Sequence, residues 1–418
     1  MPRSGPRGGA GRTAGLQTPP ASGSIGTDEG MPGMLDVEWV ESEAEVAASL
    51  WAQCFPPPFE GRWWYRALER SGLQDQFRFF YAQVYDTRHA LALAPAFLMD
   101  VPLRLVAPES LATTIARLER LAPSLLQQRT LFIGSPCSDE GRVGLLPGVE
   151  RLPVLRALDR ALRRQARVLG ARLRVWKDFP AAYASDFAQL ARTNGLFPAA
   201  SFPGSVVDLP GPDKAAYLAS LKSSRRNKLK KKLRLSAPFR YDIEALQHPD
   251  AATLDALFAL FWQTYEKGAT QFERLTPAFF TEIATCDVSH FIILREPAGG
   301  RAVAFMLCFL LGEHVINKFI GLDYTQPRES FLYFRLWDAA VDWALTQGAT
   351  SIQSGQTGYA PKIELGHRLL PLTNYSAHRN PLVHRLYAWG ARHIDWSTLD
   401  PDLATWVRSH GADGPDGG

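Results

Sequence analysis

The chain has 418 residues, of which 46% are hydrophobic and 21% charged, a composition typical of globular proteins with room for two or three domains. The formal net charge is +4, but seven cations lie within residues 225–234, so the rest of the chain carries 4 − 7 = −3. Because the positive charge is confined to this one stretch, the composition argues against a protein that binds nucleic acid over its whole surface.

The sequence shows no sign of a disulfide framework, a metal site or a membrane span. Its four cysteines, at positions 54, 137, 286 and 308, include no CxxC pair, so we expect buried reduced thiols. The histidines show no HExxH pattern, and we predict no metal site. No apolar run approaches the roughly 18 residues of a membrane span, and the N-terminus lacks the hydrophobic segment of a secretory signal. These features predict a cytoplasmic protein.

The first half predicts a tail, a hairpin and a strand–helix–strand unit, in that order. Residues 1–36 are rich in Gly, Pro and Arg, which bury little surface, so we predict a disordered tail. Strand, polar turn and strand follow one another over 77–99. A further strand carries Phe132-Ile133-Gly134, and a helix that ends at Gly170 leads to a short strand over 172–176.

The second half repeats this order of elements. It has a hairpin over 290–311, a strand with Phe319-Ile320-Gly321, a helix that ends at Gly348 and a strand over 350–354. The matched order predicts a duplicated α/β unit rather than two unrelated halves. Pro and Gly interrupt the pattern near 197–205. The predicted domains are therefore 37–205 and 206–395, followed by a C-terminal tail of 396–418.

A basic stretch follows the predicted boundary and is expected to form one helix from Asp213 to about residue 235. Four leucines, Leu218, Leu221, Leu229 and Leu233, share one stripe of this helix. Arg225 occupies the stripe position where a further leucine is expected. An inward arginine needs a partner, because an unpaired buried charge is costly. The partner is either a structural carboxylate such as Glu364 or a phosphate or carboxylate of a substrate.

The other cations of this helix are open to several interpretations. They form a solvated face, or they attract an anionic substrate, a phosphate-rich cofactor or a tRNA acceptor stem by their field. A basic helix can also lie on an anionic membrane surface, but the single aromatic residue here, Tyr217, lies off the leucine stripe.

These motifs together resemble the Fem-like branch of the GNAT acyltransferase superfamily. The resemblance rests on the Arg-rich helix, a strand ending in Gly, a helix ending in Gly and the Tyr- and Lys-containing segment 355–366. It covers nearly the whole chain between the tails. It implies an α/β (α+β) protein with two tandem GNAT folds of mixed, mainly antiparallel sheets. It also implies transfer of an acyl group to an amine, from acyl-CoA or, in Fem-type peptidyltransferases, from aminoacyl-tRNA.

The chain departs from the family pattern where many GNAT enzymes bind the pyrophosphate of CoA. The R/QxxGxG/A turn is missing, and that place reads Gln326-Pro327-Arg328-Glu329-Ser330. This departure weakens the prediction of CoA as the donor. Arg328, beside the start of a helix, could still hold a phosphate, because free N–H groups and the helix dipole favour anions there.

The segment 355–366 is the predicted catalytic region. Acyl transfer to an amine requires stabilisation of the developing oxyanion and protonation of the leaving group. By their chemistry Tyr359 is a candidate acid for the leaving group and Lys362 a candidate electrostatic stabiliser. The resemblance supports Lys362 over Tyr359. The alternative is that Tyr359 packs on the sheet and Lys362 is solvated. The predicted contacts to substrate or cofactor are Arg225, Arg226, Arg328, Gln356 and Gly358.

Two functions from different classes follow from the sequence. The first is a GNAT-type N-acyltransferase that acts on an amine of a small molecule or a cell-envelope precursor, with tRNA as a possible partner. The alternative is a non-catalytic binding protein whose basic helix docks nucleic acid or an anionic surface. The sequence does not predict the oligomeric state.

Overall fold

The computed structural model describes residues 35–102, 127–268 and 274–410. Within these ranges the chain forms fifteen strands and thirteen α-helices. The strands are β1 Asp36–Val40, β2 Arg78–Tyr85, β3 Ala90–Pro102, β4 Gln127–Ile133, β5 Gly144–Leu145, β6 Leu173–Pro180, β7 Phe197–Ala200, β8 Gly204–Asp208, β9 Asp242–Leu246, β10 Ser289–Arg295, β11 Ala302–Leu311, β12 His314–Leu322, β13 Ser351–Ser354, β14 Arg368–Leu370 and β15 Leu372–His378. The helices are α1 Ala48–Cys54, α2 Arg62–Arg70, α3 Arg151–Val168, α4 Ala184–Asn194, α5 Lys214–Ser220, α6 Ser223–Ser236, α7 Ala251–Lys267, α8 Pro277–Ala284, α9 Leu332–Thr346, α10 Tyr359–Glu364, α11 Pro381–Ala391, α12 Trp396–Leu399 and α13 Pro401–His410.

Two sheets repeat one strand order. The first runs β1-β2-β3-β4-β6-β15-β7, with β5 paired to β3, and the second runs β9-β10-β11-β12-β13-β8-β14. Each has a single parallel pair, β4 with β6 and β12 with β13, and a long helix, α3 or α9, connects the two parallel strands. All other neighbours are antiparallel. The predicted duplicated α+β architecture with mixed, mainly antiparallel sheets is confirmed.

The two units exchange one strand each. In the first sheet the strand between β6 and β7 is β15, which comes from the end of the second half. In the second sheet the equivalent place, between β13 and β14, is taken by β8, which follows β7 in the chain. The chain therefore passes from the first sheet to the second near residues 201–203 and returns to the first at Leu372. Alternation of apolar residues cannot reveal this exchange, because it depends on which sheet a strand joins.

The repeated Phe-Ile-Gly letters do not occupy equivalent positions in the parallel pairs. Ile133 faces Trp176 in the last pair of the first sheet. In the second sheet the last pair is Asn317 with Ser354, three residues before Ile320. The order of elements is thus the sound evidence for duplication, and the three-letter identity is not.

A shared aromatic core joins the two units. Rings of α2 pack on β11 of the other unit: the Trp63 and Trp64 rings lie 4.9 and 5.9 Å from Phe309. Trp64 also contacts Phe279 of α8 at 5.8 Å, edge to face. Such buried ring contacts contribute free energy beyond their area alone. The two sheets are therefore held together by packing as well as by the exchanged strands.

The basic stretch forms two helices instead of one. The backbone is extended at Leu221 (ψ 140°) and Lys222 (ψ 140°), which separates α5 from α6. The Asp213 side chain caps α5 by accepting from Ala216 N–H. The Arg226 guanidinium donates to three carbonyls at the end of α5, those of residues 218, 219 and 221. These contacts satisfy helix-end carbonyls and so favour the break.

The structure describes little of the predicted N-terminal tail but much of the predicted C-terminal one. Most of the predicted tail 1–36 lies outside the described residues, and Asp36 already belongs to β1. The predicted tail 396–418 is wrong as far as His410, because α12 and α13 occupy that stretch. Leu403 of α13 is fully buried in a cluster with Tyr359 and Leu369. The burial of Leu403 anchors α13 to the rest of the protein. The polar residues around Leu403 led the sequence pattern to predict a tail instead.

Candidate active site

The second sheet opens between its two parallel strands. β12 and β13 pair at only four positions, and the last pair is Asn317 with Ser354. Beyond it the chain turns away at Gly355, whose N–H donates to the Asn317 carbonyl at 3.3 Å. A bulge in the pairing of β11 with β12 makes Lys318 the extra residue, and a bulge re-aims a side chain. The opening is flanked by Lys318 and by the segment 355–362.

Lys362 is a buried lysine of α10 whose Nζ lies beside the turn that follows β13. Its Nζ donates to the carbonyl of Gly355 and, at 2.8 Å, to that of Thr357, and the residue is only 9% exposed. Burial lowers the pKa of Lys362 to about 8, although the Asp139 carboxylate opposes this effect. An ammonium has three N–H donors, so one remains for a ligand. The alternative of a solvated Lys362 is wrong.

Tyr359 is held by packing and by a backbone hydrogen bond. It is fully buried, and its hydroxyl donates to the Pro203 carbonyl at 2.9 Å. Burial raises its pKa well above the usual range. With its proton committed to a carbonyl, Tyr359 is poorly placed to act as the predicted acid. These contacts correspond to the packing role, the alternative to acid catalysis.

Gln356 and Gly358 shape the turn that precedes α10. The Gln356 side chain is half-buried and donates to the Phe202 carbonyl at 2.8 Å. Gly358 is exposed and has φ +60°, a left-handed conformation that favours glycine. The structure thus brings both residues to the opening, where Gln356 already has a protein partner.

A buried histidine contacts both the end of β13 and α10. His367 Nε2 and the Ser354 hydroxyl are 3.0 Å apart, and His367 Nδ1 lies 2.9 Å from the Lys362 carbonyl oxygen. Burial and then the charge of Lys362 lower the pKa of His367 to about 3, although the hydrogen bond to the Lys362 carbonyl opposes this effect. The imidazole is therefore neutral near pH 7, and it joins the strand end to the helix that carries Lys362.

This burial predicts acid sensitivity. The unfolded chain takes up the His367 proton near pH 6.5, whereas the folded protein does so only near pH 3. The unfolded state therefore binds more protons between these values, and the free energy of unfolding falls as the pH drops through this window, by a few kcal/mol for this one group. Denaturant titrations of wild type and His367→Asn at pH 7 and pH 4.5 measure it. We expect the variant to lose less stability on acidification, and equal losses would contradict the prediction.

The sequence predictions miss an ion cluster contributed by both units. The Lys318 ammonium, whose side chain is 2% exposed, lies 2.9 Å from Glu60 and 3.3 Å from Asp139. Burial alone would lower the pKa of Lys318, but the two carboxylates hold it above its usual value. Asp139 also lies close to Gly355. A Cβ atom added at Gly355 would be 3.4 Å from the Oδ1 atom of Asp139. A lysine in the middle of a mainly apolar strand is the sequence signal that could have indicated this cluster.

A cavity of about 60 Å³ lies where the two units meet. It is lined by residues of both, among them Glu60, Glu140, Arg142, Ile316 and Gln353. Burial raises the pKa of Glu140 to about 7, against the opposing charge of Arg142. A carboxyl that titrates near neutrality can exchange a proton with an amine. The cavity therefore adds an acid–base group next to the ion cluster.

The two arginines of α6 differ in their surroundings. Arg225 lies on the Leu229 and Leu233 side of the helix, as predicted from the spacing, and is half-buried. Its side chain has no hydrogen bond or ion pair with another described residue. Arg226 instead caps α5, so a substrate would have to compete with three carbonyls for it. The start of α6 has no side-chain cap, so its first N–H groups are available beside Arg225.

Two further predictions concern Arg328 and Glu364. Arg328 is exposed in a short 3-10 turn, 328–330, just before α9, as expected for a residue near a helix start. Glu364 pairs with Lys232 at 2.7 Å and not with Arg225. Lys232 also lies 3.7 Å from the centre of the Phe334 ring. This pair ties α6 to α10, the helix that carries Lys362.

Three absences hold for the part of the chain that the structure describes. No group of three or more His, Cys, Asp or Glu side chains there is arranged to hold a metal ion. No helix in the ranges 35–102, 127–268 and 274–410 combines the length and hydrophobicity that a membrane crossing needs. The four cysteines are all described, each is buried, and none of them forms a disulfide.

Part of the sequence matches a known protein family, and the fold is similar to that of several solved structures. Residues 212–387 match the FemAB-like family, described as peptidoglycan biosynthesis/recognition. The structure of FemX is similar, with a TM-score of 0.53 at 12% identity over 77% of this chain and 93% of FemX. The L-PGS structure from Bacillus licheniformis has a TM-score of 0.49 at 12% identity over 78% of this chain and 92% of its own. A tandem GNAT protein from the clavulanic acid biosynthesis pathway has a TM-score of 0.47 at 11% identity, over 83% of this chain and 99% of its own. No curated protein matches the sequence.

The family match and the FemX structure both bear on the predicted resemblance. The predicted resemblance to a Fem-like tandem GNAT protein is confirmed. The family match covers residues 212–387, less than half of the chain. At 12% identity the likeness to FemX establishes the fold alone.

Proposed function

We propose that the protein transfers an acyl or aminoacyl group from acyl-CoA or aminoacyl-tRNA to an amine of a cell-envelope precursor or a small molecule. The observation that carries this proposal is Lys362, a buried ammonium at the opening between β12 and β13. The description of the matched family, peptidoglycan biosynthesis/recognition, supports an acceptor from the cell envelope. We place the reaction in the cytoplasm, where both classes of donor occur.

Lys362 is assigned the stabilisation of the oxyanion. Attack of an amine on the donor carbonyl puts negative charge on its oxygen, and a fixed cation in a water-poor site stabilises that charge strongly. Two N–H groups of Lys362 are bound to the Gly355 and Thr357 carbonyls, which fix the ammonium in place. The amine attacks directly, the tetrahedral intermediate collapses, and the thiolate or ribose oxygen leaves with a proton. No covalent enzyme intermediate is required.

Arg225 is assigned the binding of a donor phosphate. It is half-buried and has no hydrogen bond or ion pair with another described residue. It lies in the first turn of α6, where N–H groups and the helix dipole favour an anion. The exposed cations farther along α6 raise the local concentration of an anionic donor. Arg328, exposed before α9, is a second candidate phosphate contact. Both donor classes carry phosphates, so these residues fit either one.

Arg225→Leu tests this assignment. We expect kcat/KM for the donor to fall about tenfold to 100-fold through a higher KM, as for loss of a charge-assisted hydrogen bond. The free energy of unfolding should stay the same or rise slightly, because an unpaired half-buried charge is removed. Lys230→Leu, on the exposed side of α6, is the matched control and should change kcat/KM less than twofold. A more stable Arg225→Leu protein with full activity would show that Arg225 is only structural.

A donor panel tests the function as a whole. Thermal shifts with acyl-CoAs and with charged tRNAs, followed by transfer assays on amine acceptors, identify the donor because a bound ligand stabilises the folded state. The rival function is a binding protein that docks nucleic acid through α6, whose outer cations Lys228, Lys230, Lys231 and Arg234 are exposed. Steeply salt-dependent binding of generic DNA, with no donor effect, would favour that rival.

A further inference from the structure

Helix α11 carries an apolar stripe that faces away from the protein. Leu382, Leu386 and Trp389 are 72%, 61% and 60% exposed. Their spacings of four and three residues place them on one helix face. Ile394, just beyond the helix, is a further exposed apolar residue at 39%. Scattered apolar residues are ordinary on a protein surface, but a contiguous stripe marks an interaction site.

The opposite face of α11 fixes this orientation. Ala391 is buried, and the Tyr387 hydroxyl donates to Gln128 of β4 at 2.8 Å. Pro381 begins the helix and the Asn380 side chain caps it, accepting from the N–H groups of residues 382 and 383. The helix is therefore a fixed part of the fold, and rotation cannot bury the stripe.

The surroundings of the stripe are positively charged. Arg385 and Arg392 are exposed and flank the stripe at helical spacing. Arg379 is also exposed, and its N–H donates to the carbonyl of the exposed Arg172 at 2.7 Å. No Asp or Glu occurs between residues 379 and 394. The first acid beyond them, Asp395, caps the next helix.

We propose that α11 docks the protein on an anionic lipid surface. An interfacial helix combines leucines that enter the acyl boundary, a tryptophan at the headgroup level and arginines that meet lipid phosphates. All three are present on the outer side of α11, and they lie on a helix other than the Lys- and Arg-rich α6. The docking is independent of acyl transfer, and it would bring membrane-borne molecules to the protein.

A second copy of this chain fits the stripe less well than a membrane does. A two-fold contact brings the same surface together from both copies, which would place the Arg385 and Arg392 side chains of the two copies close to one another at a cost in free energy. One helix with four exposed apolar side chains also falls short of the roughly 800 Å² per partner of a stable interface. Charge complementarity therefore selects the anionic lipid.

Vesicle co-sedimentation of the full chain tests the proposal. We expect binding to vesicles of phosphatidylcholine with phosphatidylglycerol and much weaker binding to phosphatidylcholine alone. Leu386→Ser with Trp389→Ser should weaken binding about tenfold or more, and Arg385→Gln with Arg392→Gln about fivefold per arginine, an effect reduced by salt. Ile243→Ser, at an exposed apolar position of β9 (54% exposed), is the matched control and should bind as the wild type does.

The outcomes are distinguishable from those for acyl transfer. Because the replaced side chains are exposed, folding is expected to persist, and the thermal transition checks it. Quenching of wild-type tryptophan fluorescence by brominated lipid gives a second readout that needs no variant. Failure of the wild type to bind the anionic vesicles would overturn the proposal, as would binding unchanged in the Leu386/Trp389 variant. A dimer that the same variant abolishes would assign the stripe to a second copy and also overturn it.

Discussion

Replacing Lys362 with methionine is expected to lower the rate of acyl transfer about 100-fold or more, the loss typical of removing an oxyanion-stabilising donor. Methionine keeps the length of the side chain but cannot donate a hydrogen bond. The fold should survive, because the lowered pKa of Lys362 shows that its buried charge is itself a cost to stability. Single-turnover rates with the identified donor, together with the thermal transition, measure both effects.

The pH dependence separates two roles for Lys362. A cation that stabilises an oxyanion is present below its pKa, so the wild-type rate should fall as the pH rises through about 8. Lys362→Arg, whose charge does not titrate, should lose this fall while retaining part of the activity. Lys230→Met, at an exposed position of α6, is the matched lysine control. A rate that rises through pH 8 would make Lys362 a base, and unchanged turnover in Lys362→Met would remove it from the site.

Replacing Lys318 with methionine is expected to lower the free energy of unfolding by about 3–5 kcal/mol, because it leaves two buried carboxylates without their cation. Glu60 and Asp139, at 2.9 and 3.3 Å from Nζ, are both largely buried. Since they belong to the other unit, the loss also weakens the contact between the two sheets. Denaturant titration of the single variant measures it.

A triple variant provides the matched control for Lys318. Lys318→Met combined with Glu60→Gln and Asp139→Asn removes all three charges while keeping similar volumes, and it should recover most of the lost stability. If the single variant is as stable as the wild type, the buried ion cluster contributes nothing and the account of the interface is wrong. A triple variant no better than the single one would instead show that packing of the lysine stem matters more.

The repeated α/β unit could be predicted from the sequence because each of its helices and strands has its own local pattern of residues. Alternating apolar residues mark the hairpin of β2 and β3, and helical spacing that stops at Gly170 and Gly348 marks the ends of the crossovers. The exchange of β8 and β15 has no such signal, because both strands look alike whichever sheet they join. Pairing across the chain decides it.

The site shows the same division between local and distant information. Lys362 could be found because its segment carries the family pattern, and Arg225 because it interrupts a leucine stripe. The meeting of Lys318 with Asp139 depends on how the two units pack, which no local pattern encodes. Tyr359 looks like an acid in sequence, but its burial against Leu403 depends on helix α13, more than forty residues away in the chain.

A structure with a stable donor analogue, such as a thioether of acyl-CoA or an amide-linked aminoacyl-adenosine, tests the central claim most directly. We expect the carbonyl group of the analogue to lie in the opening between β12 and β13, within hydrogen-bond distance of Lys362 Nζ. An analogue bound along the outer face of α6 or in the first sheet, with that opening empty, would contradict the account.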